Sequence, residues 1–392
     1  MKSKIAIFSI LDSPGFGGGE QYLLSNLEFL SQQGFSIYLA TFNHQISTNY
    51  KKQFSIINLP FRLDLIGNLR GAVKFFFQAP LAIIWVIEIL SDLNKKFDQV
   101  IVYTPGFTER LVFSPFFKLL GLKIIWLEYG PVAAVFKRNF GLPKIIYFLA
   151  SSFPDQVATI SQHSRASLLA NTSVSHNKIS TIYPGTPCIT DKKLKLIKKR
   201  GRTWKKNQRL GLKKLITFVG RLTVEKEVDV LLKAFAKLKQ KNLQLIIIGT
   251  GPEKIIYQNL AKKLKINDRV TFTGFVSETN KTAILAVSEV FVFPSAWEME
   301  GFGITTIEAM MAGIPIITTG AGPQQEIVID KKTGLFFNPH HPDDLCQKIN
   351  LLLLNSDLAQ KLGRRGRKIA LKKFEQTHMQ QQTLDLIQSL CV

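Results

Sequence analysis

The stretch Val290–Glu308, VFVFPSAWEMEGFGITTIE, decides the fold class of this chain together with AMMAGIPIITT, which follows it. An apolar strand, a loop with two glycines and a helical segment ended by Gly313 lead into another buried strand. In open α/β sheets ligands bind at the carboxyl ends of the strands, where helix N-termini and free backbone N–H groups converge. The stretch therefore predicts a ligand-binding turn, although an ordinary βα turn with a solvated glutamate would have the same pattern.

Length and composition indicate a globular protein of two domains. The chain has 392 residues, of which 46% are hydrophobic, enough for two domains with real cores. Its three cysteines, Cys188, Cys346 and Cys391, share no metal-ligand or redox spacing. Such a pattern suits a reducing compartment without a disulfide framework, and we predict no metal site.

Membrane-related signals are weak in the sequence. The N-terminal apolar run is too short for a secretory signal and is better explained as the first strand of the fold. The longest uncharged apolar run, Phe75–Ile87, covers thirteen residues and contains Pro80. A bilayer crossing needs about 20 residues, so we predict no transmembrane span.

The formal charge of +23 calls for an anionic partner or a solvated basic segment. The charge is concentrated between Lys192 and Lys214, a stretch without any acidic residue. A solvated linker would explain it, and so would a patch that faces anionic membrane or nucleic acid. Aromatic and basic residues also mix in 65–95 and 113–148, where core packing and a membrane-facing surface are both open.

Strands and helices alternate twice along the chain, which predicts two parallel sheets covered on both faces. We therefore expect an α/β protein of two doubly wound, Rossmann-like domains that face each other across a cleft. The predicted boundaries are an N-terminal domain at 1–190, a basic linker at 191–214, a C-terminal domain at 215–375 and a C-terminal helix at 376–392 that packs back on the body.

Polar residues cluster where the strands of the second series end. Gly220 is followed at once by Arg221, with Lys226 five residues further on, and another strand stops at Gly249. Glu300 and Glu308 bracket the glycine turn of the third. Cations and helix N-termini bind phosphate, and a carboxylate accepts vicinal hydroxyls, so this edge fits a nucleotide sugar. It fits NAD less well, because Glu20 stands where the dinucleotide fingerprint needs its third glycine.

From Leu215 to Asn338 the chain resembles the donor-binding domain of the retaining GT-B glycosyltransferases of the GT4 family. The matching pieces are FVGRLTVEKEVDVLLKAF, LIIIGTGPE, VTFTGFVS, VFVFPSAWEMEGFGITTIEAMMAGIPIITT and GPQQEIVIDKKTGLFF. Glu300 and Glu308, with seven residues between them, match the EX7E motif of the family. The first half matches more weakly, through GGGE at Gly17–Glu20 and IYPGTP at the domain junction.

The resemblance implies a role for each motif residue. Arg221 and Lys226 would neutralise the donor diphosphate, Glu300 would contact the transferred sugar, and these three are the expected catalytic residues. Glu308 would hold the ribose hydroxyls. The other expected substrate-binding residues, which would lend backbone N–H groups or face the sugar, are Gly18, Gly19, Glu128, Gly249, Gly301, Phe302 and Gly303. Glu128 stands where many relatives carry a histidine, so it would replace that histidine, mark a different sugar preference or mark a weakened enzyme.

The resemblance also implies the reaction and its partners. A sugar would pass with retention from a UDP- or GDP-sugar to a hydroxyl of a glycan or lipid-linked glycan. The leaving phosphate would take the acceptor's proton, so neither a metal nor another cofactor is expected. An anionic membrane surface is a further partner considered, at the cytoplasmic face of the membrane, whereas nucleic acid is not expected. The alternatives are a basic, non-catalytic GT-B-like protein that binds nucleic acid or membrane, and a nucleotide-sugar epimerase.

Overall fold

The computed structural model describes residues 4–13, 17–60, 69–136 and 142–391. The chain divides into two compact units. The first unit comprises Met1–Pro184 and Thr377–Val392, and the second comprises Gly185–Gln376.

The first unit is built on a parallel sheet. Its elements are β1 (Ile5–Leu11), α1 (Gly18–Gln32), β2 (Ser36–Thr41), α2 (His44–Tyr50), β3 (Ser55–Asn58), α3 (Leu69–Lys96), β4 (Gln99–Thr104), α4 (Phe107–Leu119), β5 (Lys123–Glu128), α5 (Ala133–Phe136), α6 (Leu142–Ala150), β6 (Gln156–Thr159), α7 (Gln162–Asn171) and β7 (Ile179–Thr181). Within the described residues, seven parallel strands pair in the order β3-β2-β1-β4-β5-β6-β7. The strand order reverses between β1 and β4, which is where such folds bind ligands.

The second unit repeats this plan. Its elements are α8 (Asp191–Asn207), β8 (Lys214–Val219), α9 (Val228–Ala236), β9 (Leu243–Ile248), α10 (Lys254–Lys263), β10 (Val270–Gly274), α11 (Glu278–Leu285), β11 (Val290–Phe293), α12 (Ile304–Met311), β12 (Ile316–Thr318), α13 (Gln324–Ile327), β13 (Gly334–Phe336), α14 (Pro342–Leu354) and α15 (Ser356–Lys373). Its described strands run parallel in the order β10-β9-β8-β11-β12-β13, with the reversal between β8 and β11. The two doubly wound α/β sheets that the sequence predicted are therefore present.

The basic stretch 191–214 is a helix rather than a solvated linker over most of its length. Ile197 and Gly201 lie on one face of α8 and are buried. α8 packs against α11 so closely that a Cβ on Gly201 would lie 2.2 Å from the carbonyl oxygen of Ala283. A helix with one buried face belongs to the second unit, while most of its Lys and Arg side chains stay exposed.

The apolar run Phe75–Ile87 is part of a longer helix, α3. α3 has 28 residues, and its segment Phe76–Lys96 is long and apolar enough, by length and composition alone, to cross a membrane. The count of thirteen uncharged residues therefore understated the apolar length of this region, and the absence of a transmembrane span stays a prediction. However, Ala82, Val86 and Leu90 are buried in the core of the first unit, so one face of α3 is committed to the sheet.

The last helix, α16 (Gln376–Gln388), returns the chain to the first unit. The side-chain amide of Gln380 donates a hydrogen bond to the carbonyl of Ser25 in α1, at 3.4 Å. Gln99 donates to the carbonyl of Leu390 at 2.7 Å. The first unit is therefore assembled from both ends of the sequence.

Candidate functional site

The candidate donor site lies at the carboxyl ends of β8 and β11, the two strands between which the order of the second sheet reverses. β8 ends at Val219 and is followed by Gly220 and Arg221, whose side chain is exposed. β11 ends at Phe293 and leads into the loop 294–303. The topology thus brings the strand ends selected from the sequence to one edge of one sheet.

Lys226 and Glu300 form an ion pair at this edge. The ammonium Nζ of Lys226 contacts the carboxylate Oε2 of Glu300, and the two side chains are only 14% and 12% exposed. The same ammonium lies 5.2 Å from the ring centroid of Phe293. Two of the three residues expected to be catalytic are therefore in direct contact. Because the pair is largely shielded from water, its cation can act strongly on an anionic group that enters the site.

The loop that carries Glu300 is held in place by the turn after β8. Ser295 donates its hydroxyl to the carbonyl of Glu225 at 2.7 Å, and the amide of Ala296 donates to Oε1 of Glu227 at 3.1 Å. Glu227 has a left-handed backbone with φ of 49°, and its Oε2 lies 2.9 Å from Nδ1 of His340. Sequence reasoning missed the positioning role of Glu227 and its contact with His340.

The glycine turn before α12 requires glycine at position 303. Gly303 has φ of 99°, and a Cβ there would lie 2.1 Å from Nε2 of Gln324. Gln324 is buried and donates this amide to the carbonyl of Phe302 at 2.8 Å. The Phe302 ring is itself buried against Phe374, so only its backbone can serve a ligand. The turn presents the first N–H groups of α12, with Gly301 in the loop immediately before it.

Glu308 on α12 is paired through only one of its two carboxylate oxygens. Its Oε1 accepts a hydrogen bond from Nζ of Lys281 at 2.8 Å, and Lys281 also reaches Glu278 at 2.8 Å. Its Oε2 is buried and has no hydrogen-bond partner among the residues that the structure describes. A buried carboxylate oxygen without a hydrogen bond lowers the stability of the folded protein unless a ligand supplies a hydrogen-bond donor. An alcohol hydroxyl is a donor of the required kind.

The charge state of Glu308 reflects two opposing effects. Burial raises its pKa, and the ammonium of Lys281 works in the opposite direction. For Lys281, burial lowers the pKa, but the neighbouring carboxylates of Glu308 and Glu278 leave it above the ordinary value. Sequence reasoning missed Lys281, since no motif surrounds it. Its only signal was its position on the helix that precedes β11.

Gly249 plays a structural part in this edge. It has φ of 134°, and a Cβ on it would lie 2.0 Å from the carbonyl oxygen of Gly220. Its amide donates to the carbonyl of Gly274 at 2.9 Å. Gly249 therefore allows β8 and β9 to end close together, but its N–H is already used within the protein.

In the first unit, Glu128 is engaged in an internal ion pair. Its carboxylate contacts the guanidinium of Arg110 and accepts a hydrogen bond from the hydroxyl of Tyr147. The side chains of Glu128 and Arg110 are 5% and 4% exposed. These contacts give Glu128 a structural role and do not support the substrate-binding role that the sequence suggested.

Gly18 and Gly19 form the first turn of α1, beside a cavity of ≈ 280 Å³ at the ends of β1, β4 and β5. A Cβ on Gly19 would lie 3.6 Å from the ring of Tyr129, which lines the cavity. Asp12, Glu20 and Glu109 also line it. Glu109 is 2% exposed, and its burial raises its pKa to about 7. The carboxyl group of Glu109 therefore changes its protonation state near neutral pH.

Sequence reasoning missed Glu109, although the stretch TPGFTE directly follows a buried strand. Among the described residues, no group of three or more His, Cys, Asp or Glu side chains is arranged to hold a metal ion.

Comparison with known proteins agrees with this geometry. The family described as glycosyl transferases group 1 matches residues 201–369, which include α8 and the donor edge. An uncharacterised glycosyltransferase of Methanocaldococcus jannaschii, MJ1607, is 26% identical over 268 residues, or 66% of each chain. A GDP-mannose-dependent alpha-(1-6)-phosphatidylinositol monomannoside mannosyltransferase of Mycobacterium tuberculosis is 32% identical over 170 residues. That match spans 42% of this chain and 44% of the relative. The matched segments therefore cover less than half of the mycobacterial relative and 66% of MJ1607.

Solved structures match over nearly the whole chain. The crystal structure of Anabaena Alr3699/HepE in complex with UDP and glucose has a TM-score of 0.80 at 17% identity and covers 98% of this chain and 100% of its own. Sucrose-phosphate synthase from Thermosynechococcus elongatus has a TM-score of 0.80 at 21% identity and covers 99% of both chains. At such identities the likeness concerns the fold. Residues 201–369 thus resemble the glycosyl transferases group 1 family, and the two parallel α/β sheets of the chain are those of the GT-B fold.

Proposed function

We propose that this chain is a retaining glycosyltransferase that uses a UDP- or GDP-sugar as donor and a hydroxyl of a glycan or lipid-linked glycan as acceptor. The observation that carries the proposal is the single unit formed by the loop 294–303 and α12. It holds the shielded Lys226–Glu300 pair and, one helix turn further on, the buried Glu308 oxygen that has no described partner. The Lys226–Glu300 pair suits a sugar diphosphate, and the buried oxygen of Glu308 suits ribose hydroxyls.

The donor would be held by complementary charges. Arg221 and Lys226 would neutralise the diphosphate, while the first N–H groups of α12 would bind it at the positive end of the helix. Glu308 would accept the ribose hydroxyls, and Glu300 would contact the sugar. The Anabaena structure contains UDP and glucose, and the mycobacterial relative is named as GDP-mannose-dependent, which supports both nucleotides as candidates.

In the proposed reaction, the bond between the anomeric carbon and the diphosphate oxygen breaks as the acceptor oxygen bonds to that carbon on the same face. The acceptor proton passes to the leaving phosphate, so no dedicated protein base is needed. Negative charge develops on the leaving diphosphate, and Lys226 and Arg221 would stabilise it most in the transition state. These two cations would do the work that a metal ion does in other transferases.

The acceptor would bind in the first unit, at the cavity beside Gly18 and Gly19. Sugar hydroxyls hydrogen-bond well to carboxylates, and Asp12, Glu20 and Glu109 offer them. The name of the mycobacterial relative specifies a phosphatidylinositol glycoside as acceptor, which supports a lipid-linked glycan among the candidates.

The leaving-group role predicts how Lys226→Ala and Arg221→Ala behave. Each should lower kcat by a factor of about 10²–10³, the usual effect of removing one donor that is directed at a charge developing in the transition state. The dissociation constant of the donor should change much less. Steady-state kinetics and calorimetric donor binding separate the two effects, with Lys233→Ala, which removes an exposed lysine of α9, as the matched control. Wild-type turnover in both variants would remove these residues from the catalytic site.

The Lys281–Glu308 pair predicts a pH effect on nucleotide binding. Lys281→Met removes the ammonium that opposes the burial of Glu308, so the pKa of Glu308 should rise further. A protonated Glu308 accepts fewer hydroxyls, and the affinity of Lys281→Met for UDP or GDP should fall more steeply than that of the wild type as pH drops from about 8 to about 6. Calorimetry across this range tests the effect, and Lys281→Arg should restore the wild-type profile. Identical profiles for Lys281→Met and wild type would contradict the role of the pair.

The raised pKa of Glu109 predicts how stability depends on pH. The folded state keeps this proton up to a pKa of about 7, whereas the unfolded state loses it near the ordinary glutamate pKa of 4.5. Stability contributed by this proton is complete below the lower value and is lost between the two, at up to about 1.4 kcal/mol per pH unit. Glu109→Gln cannot lose a proton, so its melting temperature relative to wild type should increase as pH rises from about 5 to about 8. A difference that stays constant over this range would show that Glu109 titrates normally.

A further inference from the structure

The first unit exposes large apolar side chains on one face of α3. Between residues 76 and 84, Phe76 and Phe77 are each 75% exposed, Leu81 is 68% exposed and Ile84 is 54% exposed. Further along the same face the exposed residues are Glu88, Asp92 and Lys95. Among the described side chains of α3, the exposed large apolar ones therefore lie between residues 76 and 84. Scattered apolar residues are normal on protein surfaces, but a run of four large ones on one helix face is not.

Among the described side chains of α3, deep burial begins at Ala82. A helix of 28 residues is about 42 Å long, whereas the strands of this sheet, with at most seven residues, span about 23 Å. The deeply buried side chains run from Ala82 through Leu93. The side chains from Phe76 to Leu81 are exposed or half-buried.

α6 adds a second exposed apolar set on the same side of the sheet. Ile145, Phe148 and Leu149 are 61%, 59% and 67% exposed, while Tyr147 between them is buried. α4 contacts both α3 and α6, and all three helices bury their inner faces in one core cluster. Together the exposed residues of α3 and α6 form what we call the apolar face: Phe76, Phe77, Leu81, Ile84, Ile145, Phe148 and Leu149.

The sequence segments that contain the apolar residues 76–84 and 145–149 are basic. Residues 65–87 contain Arg70 and Lys74 and no acidic residue. Residues 129–154 contain Lys137, Arg138 and Lys144, again without any acidic residue. In a second copy of the chain the same basic stretches would meet and repel each other, whereas an anionic lipid surface would attract them.

We propose that the apolar face docks the protein on an anionic lipid bilayer, with its phenylalanine and aliphatic side chains in the interface and with the net positive charge of the two sequence segments as the source of attraction to the lipid phosphates. Apolar insertion and basic attraction act together in such peripheral contacts. The helix lies on the membrane rather than across it, because Ala82, Val86, Leu90 and Leu93 remain packed on the sheet. The docking does not depend on the transferase chemistry, since it requires neither donor nor acceptor.

The test is sedimentation of the full-length chain with vesicles, without nucleotide sugar. We expect wild type to bind vesicles of phosphatidylcholine mixed with phosphatidylglycerol and to bind pure phosphatidylcholine much less. Phe76→Ser/Phe77→Ser should lower the partition coefficient on the mixed vesicles at least about tenfold, and Ile145→Ser/Phe148→Ser should lower it in the same direction. Part of the wild-type binding should survive high salt, because the apolar contribution is not screened.

Matched controls separate docking from general stickiness and from misfolding. Leu212→Ser/Leu354→Ser removes two leucines of the second unit that are 96% and 78% exposed, and it should bind vesicles like the wild type. Unchanged melting temperatures would show that all variants fold, since every substituted side chain is exposed. Nucleotide binding measured on the same samples tests the proposed function separately, because neither apolar helix carries a donor-site residue.

Three results would overturn the proposal. The first is a wild type that binds neither kind of vesicle. The second is unchanged vesicle binding by both apolar-face variants with complete loss of binding in salt, which would place the contact on a purely basic surface such as α8. The third is a wild type that dimerises in solution while Phe76→Ser/Phe77→Ser is monomeric, because a second copy would then cover this face.

Discussion

The ion pair between Lys281 and Glu308 is the contact on which the candidate donor site depends. A carboxylate so deeply buried would take up a proton without a nearby cation, and burial already raises its pKa. Lys281 opposes this protonation while it occupies only one of the two carboxylate oxygens. The other oxygen remains a charged, desolvated acceptor. Burying this oxygen without a partner costs free energy in the unliganded protein, and a hydrogen bond from a ligand hydroxyl would offset part of that cost.

The neighbouring Lys226–Glu300 pair follows the same principle with a different consequence. Its two charges neutralise each other in the described structure, so the shielded site is not left with an isolated cation. In the proposed reaction, a diphosphate at Lys226 would compete with Glu300 for the ammonium, and Glu300 would then be free to contact the sugar. Hydrogen bonds from Ser295 to Glu225 and from Ala296 to Glu227 fix the loop that carries Glu300 against the turn after β8. The site is therefore preorganised by hydrogen bonds that the ligand does not need to form.

Much of this site could be predicted from the sequence, because parallel strands bring their carboxyl ends to one edge. Lys226, Glu300 and Glu308 each lie close in sequence to such a strand end, so topology alone places them on one edge. Lys281 could not be predicted, since it reaches Glu308 from another helix and only packing decides that contact. Glu128 also lies at a strand end, but Arg110 and Tyr147 from neighbouring helices cover it. A position at the end of a strand thus predicts that a residue lies at the edge of the sheet. It does not predict which side chains remain accessible to a ligand.

Two helical regions show how composition can mislead. The basic stretch 191–214 carries so much charge that its composition fits a solvated linker or an anion-facing patch, yet Ile197 and Gly201, four residues apart, mark a buried helix face. The apolar part of α3 was underestimated because the run was counted only to its first charge, whereas the helix continues through Glu88 and Asp92 and tolerates Pro80 within it. In both regions the pattern of buried faces is more informative than the overall composition.

The most direct measurement of the central claim compares nucleotides with and without the ribose hydroxyls, on wild type and Glu308→Ala. Calorimetry with UDP or GDP and with the corresponding 2′,3′-dideoxynucleotides gives four dissociation constants. If Glu308 holds the ribose, the wild type should bind the nucleotide with hydroxyls at least about tenfold more tightly, and Glu308→Ala should bind the two nearly equally. Glu289→Ala, which removes an exposed carboxylate beside β11, should behave like the wild type. Equal discrimination by wild type and Glu308→Ala would contradict the account.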